Sequence, residues 1–401
     1  MNAIDRLIKY AGFDTTSNED SETIPSTPGQ KILGAELVKE MKEIGIKDAR
    51  MDEYGYVYGT VEGTLDVPVI GLIAHMDTSP DASGKDVQPR IEYGYDGGDI
   101  VLNEEENIIL SPDDYPLLKT YKGQDILVTN GKTLLGADDK AGIAAILSAA
   151  EEIINSDRPH GTFKIAFTPD EEIGRGPLKF DVEGFGAEYA YTVDGGTIGG
   201  LEYENFNAAA ARVTINGKNI HPGSAKNKMK NSILIAMEFQ SLLPTFERPE
   251  FTENYEGFSH LNDISGNVEN TTLHYIIRDH DSGKLEIKKE NFKNAADFLN
   301  RKYGKDTVVL EIKDSYRNMR EVIEGSMFII DKAKKAMELS GVTPRIDPIR
   351  GGTDGAQLSF MGLPCPNIFT GGENGHGRFE YIPVQSLEKC KDVIVNIIYT
   401  V

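Results

Sequence analysis

The run VPVIGLIAHMD, residues 67–77, stays apolar from Val67 to Ala74 and then turns abruptly to His75 and Asp77. A strand with one wet face alternates apolar and polar residues. A run without alternation belongs to a strand covered on both faces, the habit of parallel strands packed between helices. GTFKIAFTP (161–169) and AEYAYTVDGG (187–196) read the same way. Between such runs lie helical stretches. GQKILGAELVKEMKEIG (29–45) sets Leu33, Leu37, Met41 and Ile44 on or near one stripe, and DKAGIAAILSAAEEIINSD (139–157) is a helix rich in small residues. The alternation predicts an α/β fold, a mixed sheet flanked by helices.

Two stretches break the rhythm. Residues 84–128 carry Gly, Asp and Tyr-rich text, including YGYDGGD and SPDDYPLLKTY, and read as an excursion from the sheet. From about Asn207 the order becomes strand, helix, strand, strand, helix, strand, which is the ferredoxin-like α+β pattern. After Arg320 the earlier style returns and ends in a helix over Val384–Tyr399. A chain of 401 residues is too long for one ordinary domain. The expected organisation is therefore a catalytic domain in two parts, 1–207 and 320–401, with an inserted domain at 208–319.

The charge balance narrows the partners. Lys and Arg total 42 against 64 Asp and Glu, a net charge of −22. Such a surface repels phosphate backbones and anionic membranes, so no nucleic acid and no membrane partner is expected. MNAIDRLIKYAGFD spaces its apolar residues as an amphipathic helix, unlike a signal peptide. Only Cys365 and Cys390 are present, without a CxxC or a Cys/His cluster, which disfavours a disulfide framework and thiolate zinc. A cytoplasmic location is the default.

Polar residues follow several of the apolar runs: His75 and Asp77, then Glu171 and Glu172, then Asp194, and His376 beyond a Gly-rich loop. Strand carboxyl ends line the binding crevice of an open α/β sheet, so parallel neighbours would bring these residues together. Asp138, opening a helix in LLGADDKAG, could face the same crevice. Each feature also has a plainer explanation. Asp138 and Asp139 suit helix caps, adjacent glutamates suit a solvated turn, and Asp-Gly-Gly is ordinary turn chemistry. The joint pattern of imidazoles and carboxylates without a thiolate fits a divalent ion such as zinc, manganese or cobalt.

AHMDT, GADDKAG, TPDEEIG, TVDGG and GGENGH, in this order, resemble the cocatalytic zinc peptidase family of carboxypeptidase G and aminoacylase. The likeness extends over nearly the whole chain, through NIHPGSAKNKMKNS and RGGTDGAQLS, and the surrounding text is most similar to its tripeptide aminopeptidases. The resemblance implies a zinc-exopeptidase-like fold with a lid and dimerisation domain inserted. It implies two divalent metal ions, zinc first, bridged by Asp138. His75 and Asp194 would complete one site, Glu172 and His376 the other. Asp77 would orient His75, and Glu171 would be the general base. The residues alone leave open which glutamate does which; the family pattern decides. Alternation at the strand end would then turn Glu172 to a metal and Glu171 to the water. A cis peptide at Asp138–Asp139 is also implied.

His221 in NIHPGS is the candidate oxyanion donor, reached from the partner subunit in dimeric relatives, so a homodimer through the inserted domain is expected. Arg350 and Arg278 are candidates for holding a peptide carboxylate, although Arg278 suits a surface ion pair equally well. The activity implied is removal of the N-terminal residue from small peptides. An N-acyl amino acid deacylase with the same ligands, and a non-catalytic metal- or peptide-binding protein, are the alternatives.

Overall fold

Four of the apolar runs lie side by side and parallel. In the computed structural model, which describes residues 1–400, Gly161–Thr168 pairs with Leu65–His75, that strand with Tyr189–Gly195, and that with Asn367–Phe369. Val57–Val61 and Arg50–Met51 extend one edge antiparallel. Gly200–Glu202, antiparallel to Asn367–Phe369, and Arg345–Ile346 extend the other. The result is one eight-stranded mixed sheet. Its central strands are buried at their carboxyl ends, as the absence of alternation requires.

Helices cover this sheet. Ala137–Ile154 packs on Leu65–His75 and Tyr189–Gly195, and is backed by Ala3–Ala11 and Val384–Tyr399. Its small residues permit close approach. A Cβ on Gly142 would stand 2.0 Å from the Val193 carbonyl oxygen and 2.5 Å from Asp139 Oδ1. Only glycine lets the helix sit that near the strand. Ile73, Ala166 and Ala190 of the sheet pack with Phe180, Phe185, Leu358 and Leu363.

The chain divides into two compact units. The first is Met1–Tyr203, Glu321–Asp347 and Thr353–Val401; the second is Glu204–Arg320 with Pro348–Gly352. Sequence reading left that last stretch with residues 320–401. It groups with the second unit because Ile349 bridges Asn205 and Arg350 donates to the carbonyls of Asn254 and Glu256.

Within the second unit, Asn207–Asn216, Phe258–Gly266, Asn270–Asp279 and Val308–Tyr316 form an antiparallel sheet. Its spatial order is second, third, first, fourth. The helices Ser232–Leu242 and Ser282–Tyr303 begin at Asn231 and Asp281, whose side chains accept main-chain N–H groups. They bury Phe239 and Phe292 against Val213, Leu273 and Tyr275. Order and pairing match a ferredoxin-like sandwich.

The excursion at 84–128 belongs to the first unit. Arg90–Glu92 and Ile126–Val128 form a small sheet with Ile382–Pro383, beside the hairpin Ile100–Asn103/Ile108–Leu110. Its own core gathers Tyr95, Leu110, Leu118, Tyr121 and Tyr381. None of the described helices is long and apolar enough to cross a membrane.

Candidate metal centre

His75 ends its strand, Asp194 lies at the end of the next, Glu171 and Glu172 follow Gly161–Thr168, and His376 follows Asn367–Phe369. Four adjacent parallel strands thus deliver their polar ends to one edge. There the two imidazoles share one carboxylate. His75 Nε2 is 3.0 Å from Asp138 Oδ1 and 3.4 Å from Asp194 Oδ1, while His376 Nε2 is 3.3 Å from Asp138 Oδ2 and 2.9 Å from Glu172 Oε2. The sequence-expected ligand candidates, His75, Asp138, Glu172, Asp194 and His376, are therefore gathered in the first unit. His376 stays about half exposed, at 46%, and its main chain is left-handed at φ 65°. A non-glycine residue held there is uncommon.

The two aspartates of GADDKAG divide the work. Asp138 faces the imidazoles. Asp139 accepts the N–H groups of Gly142 at 3.2 Å and His75 at 3.2 Å, so it caps the helix and ties it to the strand. The cap expected of the pair is found at Asp139, while Asp138 turns to the crevice side. The peptide bond between them is cis.

Glu171 and Glu172 do not continue the strand. The strand stops at Thr168, Asp170 is left-handed at φ 58°, and Glu171–Ile173 forms a 3-10 turn. The expectation of strand alternation is corrected: Pro169 and the Asp170 conformation end the pleat, and helical turning separates the two carboxylates. Asp77 holds that turn, its Oδ1 accepting Glu171 N–H at 3.0 Å and its Oδ2 Glu172 N–H at 3.1 Å. His75 Nδ1 lies 3.1 Å from the Asp77 carbonyl oxygen and 3.5 Å from its carboxylate. The main-chain oxygen is the nearer partner for the ring.

Several buried carboxylates were not singled out by sequence, Glu380 and Asp170 among them. Glu380 accepts the N–H groups of Leu135 at 2.6 Å, Gly136 at 2.8 Å and Asp138 at 3.0 Å, fixing the loop that presents Asp138. Asp170 accepts from Ser26 N–H and Gln30 Nε2, the latter at 2.7 Å. The one signal for Glu380 was a lone acid between Phe379 and Tyr381, four residues beyond His376.

His221, Arg278 and Arg350 belong to the second unit. His221 is exposed, and its Nδ1 accepts the Gly223 N–H at 3.2 Å. Arg278 donates to the carbonyls of Ala209 and Ile277 and lies over the Tyr316 ring. Arg350 donates to Thr252, Asn254 and Glu256 and lies over Phe206.

The electrostatics of the first-unit cluster call for added positive charge. Burial drives Glu171 well above the usual carboxylate range and Glu172 to about 7. Hydrogen bonds to Asp138 and Glu172 push His376 to about 11. Burial disfavours a charged His75, yet Asp194, Asp138 and Asp77 raise it well above its ordinary value. Protons on the imidazoles thus offset crowded carboxylates. Divalent ions fit the same task. The donor atoms of His75, Asp138 and Glu172 lie within 4.8 Å of one another, as do those of His75, Asp139 and Asp194. Glu172 Oε1 is buried without a hydrogen-bond partner among the described residues. A carboxylate with one oxygen at an imidazole nitrogen and the other buried without a partner suits the donor set of a cation site.

The model for peptidase family M20/M25/M40 matches residues 129–400. The chain belongs to this family. Among curated relatives, peptidase T of Halothermothrix orenii is 58% identical over 398 residues, 98% of each chain. Peptidase T of Bacillus subtilis is 56% identical over 397 residues, 98% of this chain and 97% of the other. Among solved structures, aminopeptidase PepT from Bacillus cereus superposes with a TM-score of 0.78 at 24% identity, over 99% of this chain and 97% of that one. A dinuclear metal binding peptidase of the M20 family from Bacillus subtilis superposes at 0.64 with 14% identity, over 100% and 98%. These last two likenesses speak for the M20 fold.

Proposed function

We propose that the chain is a dinuclear metallo-aminopeptidase that releases the N-terminal residue of tripeptides. The observation that carries this reading is the Asp138 carboxylate shared between two imidazoles, each with a further carboxylate at hand. The high identity to proteins named peptidase T supports the tripeptide substrate. His75, Asp138 and Asp194 would hold one ion, and Asp138, Glu172 and His376 the other. Imidazole and carboxylate donors without thiolate favour zinc, with manganese or cobalt next. Such ions, when bound, supply Lewis acidity that lowers the pKa of water and polarises the scissile carbonyl.

The chain's own groups do the rest. Glu171 takes a proton from the attacking water and passes it to the departing amine. Its raised proton affinity, set first by burial, suits a group that must hold that proton between steps. Asp77, through the Glu171 and Glu172 N–H groups, keeps both carboxylates on one rigid turn. His221 as oxyanion donor, Arg278 and Arg350 as carboxylate holders, and a homodimer through the second unit belong to the same proposal. So does a cytoplasmic location, which the two buried free cysteines, Cys365 and Cys390, support.

The test is release of alanine from tri-alanine, with di- and tetra-alanine as length controls and N-acetyl and N-succinyl amino acids as competing substrates. Tri-alanine should be preferred, with activity lost on chelation and restored by zinc, manganese or cobalt. Hydrolysis of the N-acyl amino acids with tri-alanine untouched would make the protein a deacylase.

A further inference from the structure

An aminopeptidase must recognise a cation, the free α-ammonium group, on the acyl side of the bond it cuts. The candidate metal centre opens into a cleft of about 210 Å³ in the first unit, whose walls include Asp138, Asp139, Asp194, Glu373 and Glu380. Four of these carboxylates are committed. Asp138 and Asp194 face the imidazoles, Asp139 caps the helix, and Glu380 holds three main-chain N–H groups.

Glu373 differs. Its Oε1 accepts the Tyr121 hydroxyl and its Oε2 the Thr197 hydroxyl at 3.1 Å, and no lysine or arginine ion pair with it is present among the described residues. An ionised carboxylate accepts about four hydrogen bonds, so two neutral donors leave room for an ammonium group. Those donors come from different elements, Tyr121 from the excursion and Thr197 from the turn after Tyr189–Gly195. Together they fix the carboxylate without neutralising it. Burial raises the proton affinity of Glu373, outweighing the two hydroxyls and the charge of Arg345, which is itself paired with Asp347.

We propose that Glu373 is the specificity-determining residue that receives the α-ammonium group of the peptide, in an ion pair completed only when substrate binds. The proposal rests on the aminopeptidase reading above. It accounts for the placement in this cleft of a carboxylate held by two neutral hydroxyls and without a direct ion pair, where an N-acyl group would find no matching partner.

The test compares tri-alanine with its desamino analogue, propionyl-alanyl-alanine, on the zinc-loaded protein. Wild type should prefer the free amine. Glu373→Gln, which keeps the shape of the side chain, should lower kcat/KM for tri-alanine by about 100-fold, the scale of losing one buried charged partner. The same variant should leave the desamino analogue within about threefold, because neutral substrate makes no ion pair. Thr197→Val, which frees one oxygen but keeps the charge, should raise KM for tri-alanine alone, and supplies the answer if Glu373→Gln does not fold. A preference for the amine that survives Glu373→Gln overturns the assignment, as does an equal loss on both substrates or an unchanged KM in Thr197→Val. Wild type that ignores the amine would instead overturn the aminopeptidase reading itself.

Discussion

Asp77 and Glu172 are joined through the main chain, the Oδ2 of Asp77 accepting the Glu172 N–H at 3.1 Å while its Oδ1 accepts that of Glu171 at 3.0 Å. One buried carboxylate thereby sets the position of both glutamates and also flanks the His75 ring. Asp77→Asn loses one of those acceptors and its charge. It should weaken zinc binding or activity by about 10- to 100-fold, the scale of losing a group that orients ligands. Zinc-buffered titration beside kcat/KM checks both.

Glu171→Gln removes the proposed proton carrier and leaves the five ligand candidates in place. Turnover of tri-alanine should fall by about 100- to 10,000-fold, the range of general acid–base assistance. Metal content measured on the same sample should stay at the wild-type level. Robust hydrolysis by this variant removes Glu171 from the base role.

Chelation should also cost stability. Without divalent ions, Glu171, Glu172, Asp138, Asp139 and Asp194 crowd one edge of the sheet and rely on two imidazoles for compensation. A ligand bound only by the native state adds about 2.7 kcal/mol at 100 times its Kd. The thermal midpoint should therefore drop with chelator and return with zinc; an unchanged midpoint would count against the cation site.

Gly142→Ala tests the helix seat. The added methyl would meet the Val193 carbonyl at 2.0 Å, a main-chain atom that cannot swing away. The expected loss is about 1–3 kcal/mol, typical of overpacking. Because Asp138 and Asp139 begin this helix, activity should fall with stability in urea titrations paired with assays.

A pH effect follows from the amino-terminal helix. Arg6, 1% exposed, donates through Nε to Glu40 Oε1 at 2.7 Å, and Lys9 Nζ lies 2.7 Å from Glu40 Oε2. Burial raises the Glu40 carboxyl, but Lys9 and Arg6 together bring it below its ordinary value. A lowered folded-state pKa stabilises the protein above the unfolded value, and that stability is lost as pH falls through the folded one. Glu40→Gln should cost about 3 kcal/mol at neutral pH, the scale of breaking a buried pair. The gap from wild type should narrow below about pH 4, near the unfolded carboxyl value. Urea midpoints at pH 7 and at about pH 3 measure it.

Much of the site was readable because each strand announces its own end. The apolar text from Val67 to Ala74 gives way to His75, and that from Phe163 to Phe167 to Glu171 and Glu172, so the crevice could be placed before the strands were seen to pair. The final helix likewise spans Val384–Tyr399 as its periodicity predicts. Local pattern carries that information.

Glu380 and Asp170 escaped for the opposite reason. Their partners, Asp138 and Ser26, stand 242 and 144 positions away, and no spacing rule links a carboxylate to an N–H at that distance. The 3-10 turn at Glu171 was hidden in part for the same reason, since the side chain that holds it, Asp77, lies 94 positions earlier, just past another strand. Pro348–Gly352 reads as loop text, and its allegiance to the second unit is settled by Asn205 and Arg350 contacts that lie far apart in the chain.

The order in which the polypeptide is made gives the split first unit a further meaning. His75, Asp138, Glu171, Glu172 and Asp194 all leave the ribosome before residues 204–320, and His376 after them. A nascent chain thus carries the proposed proton carrier and most of the proposed cage before the last imidazole arrives. The proposed cage is therefore complete only once synthesis has passed the second unit.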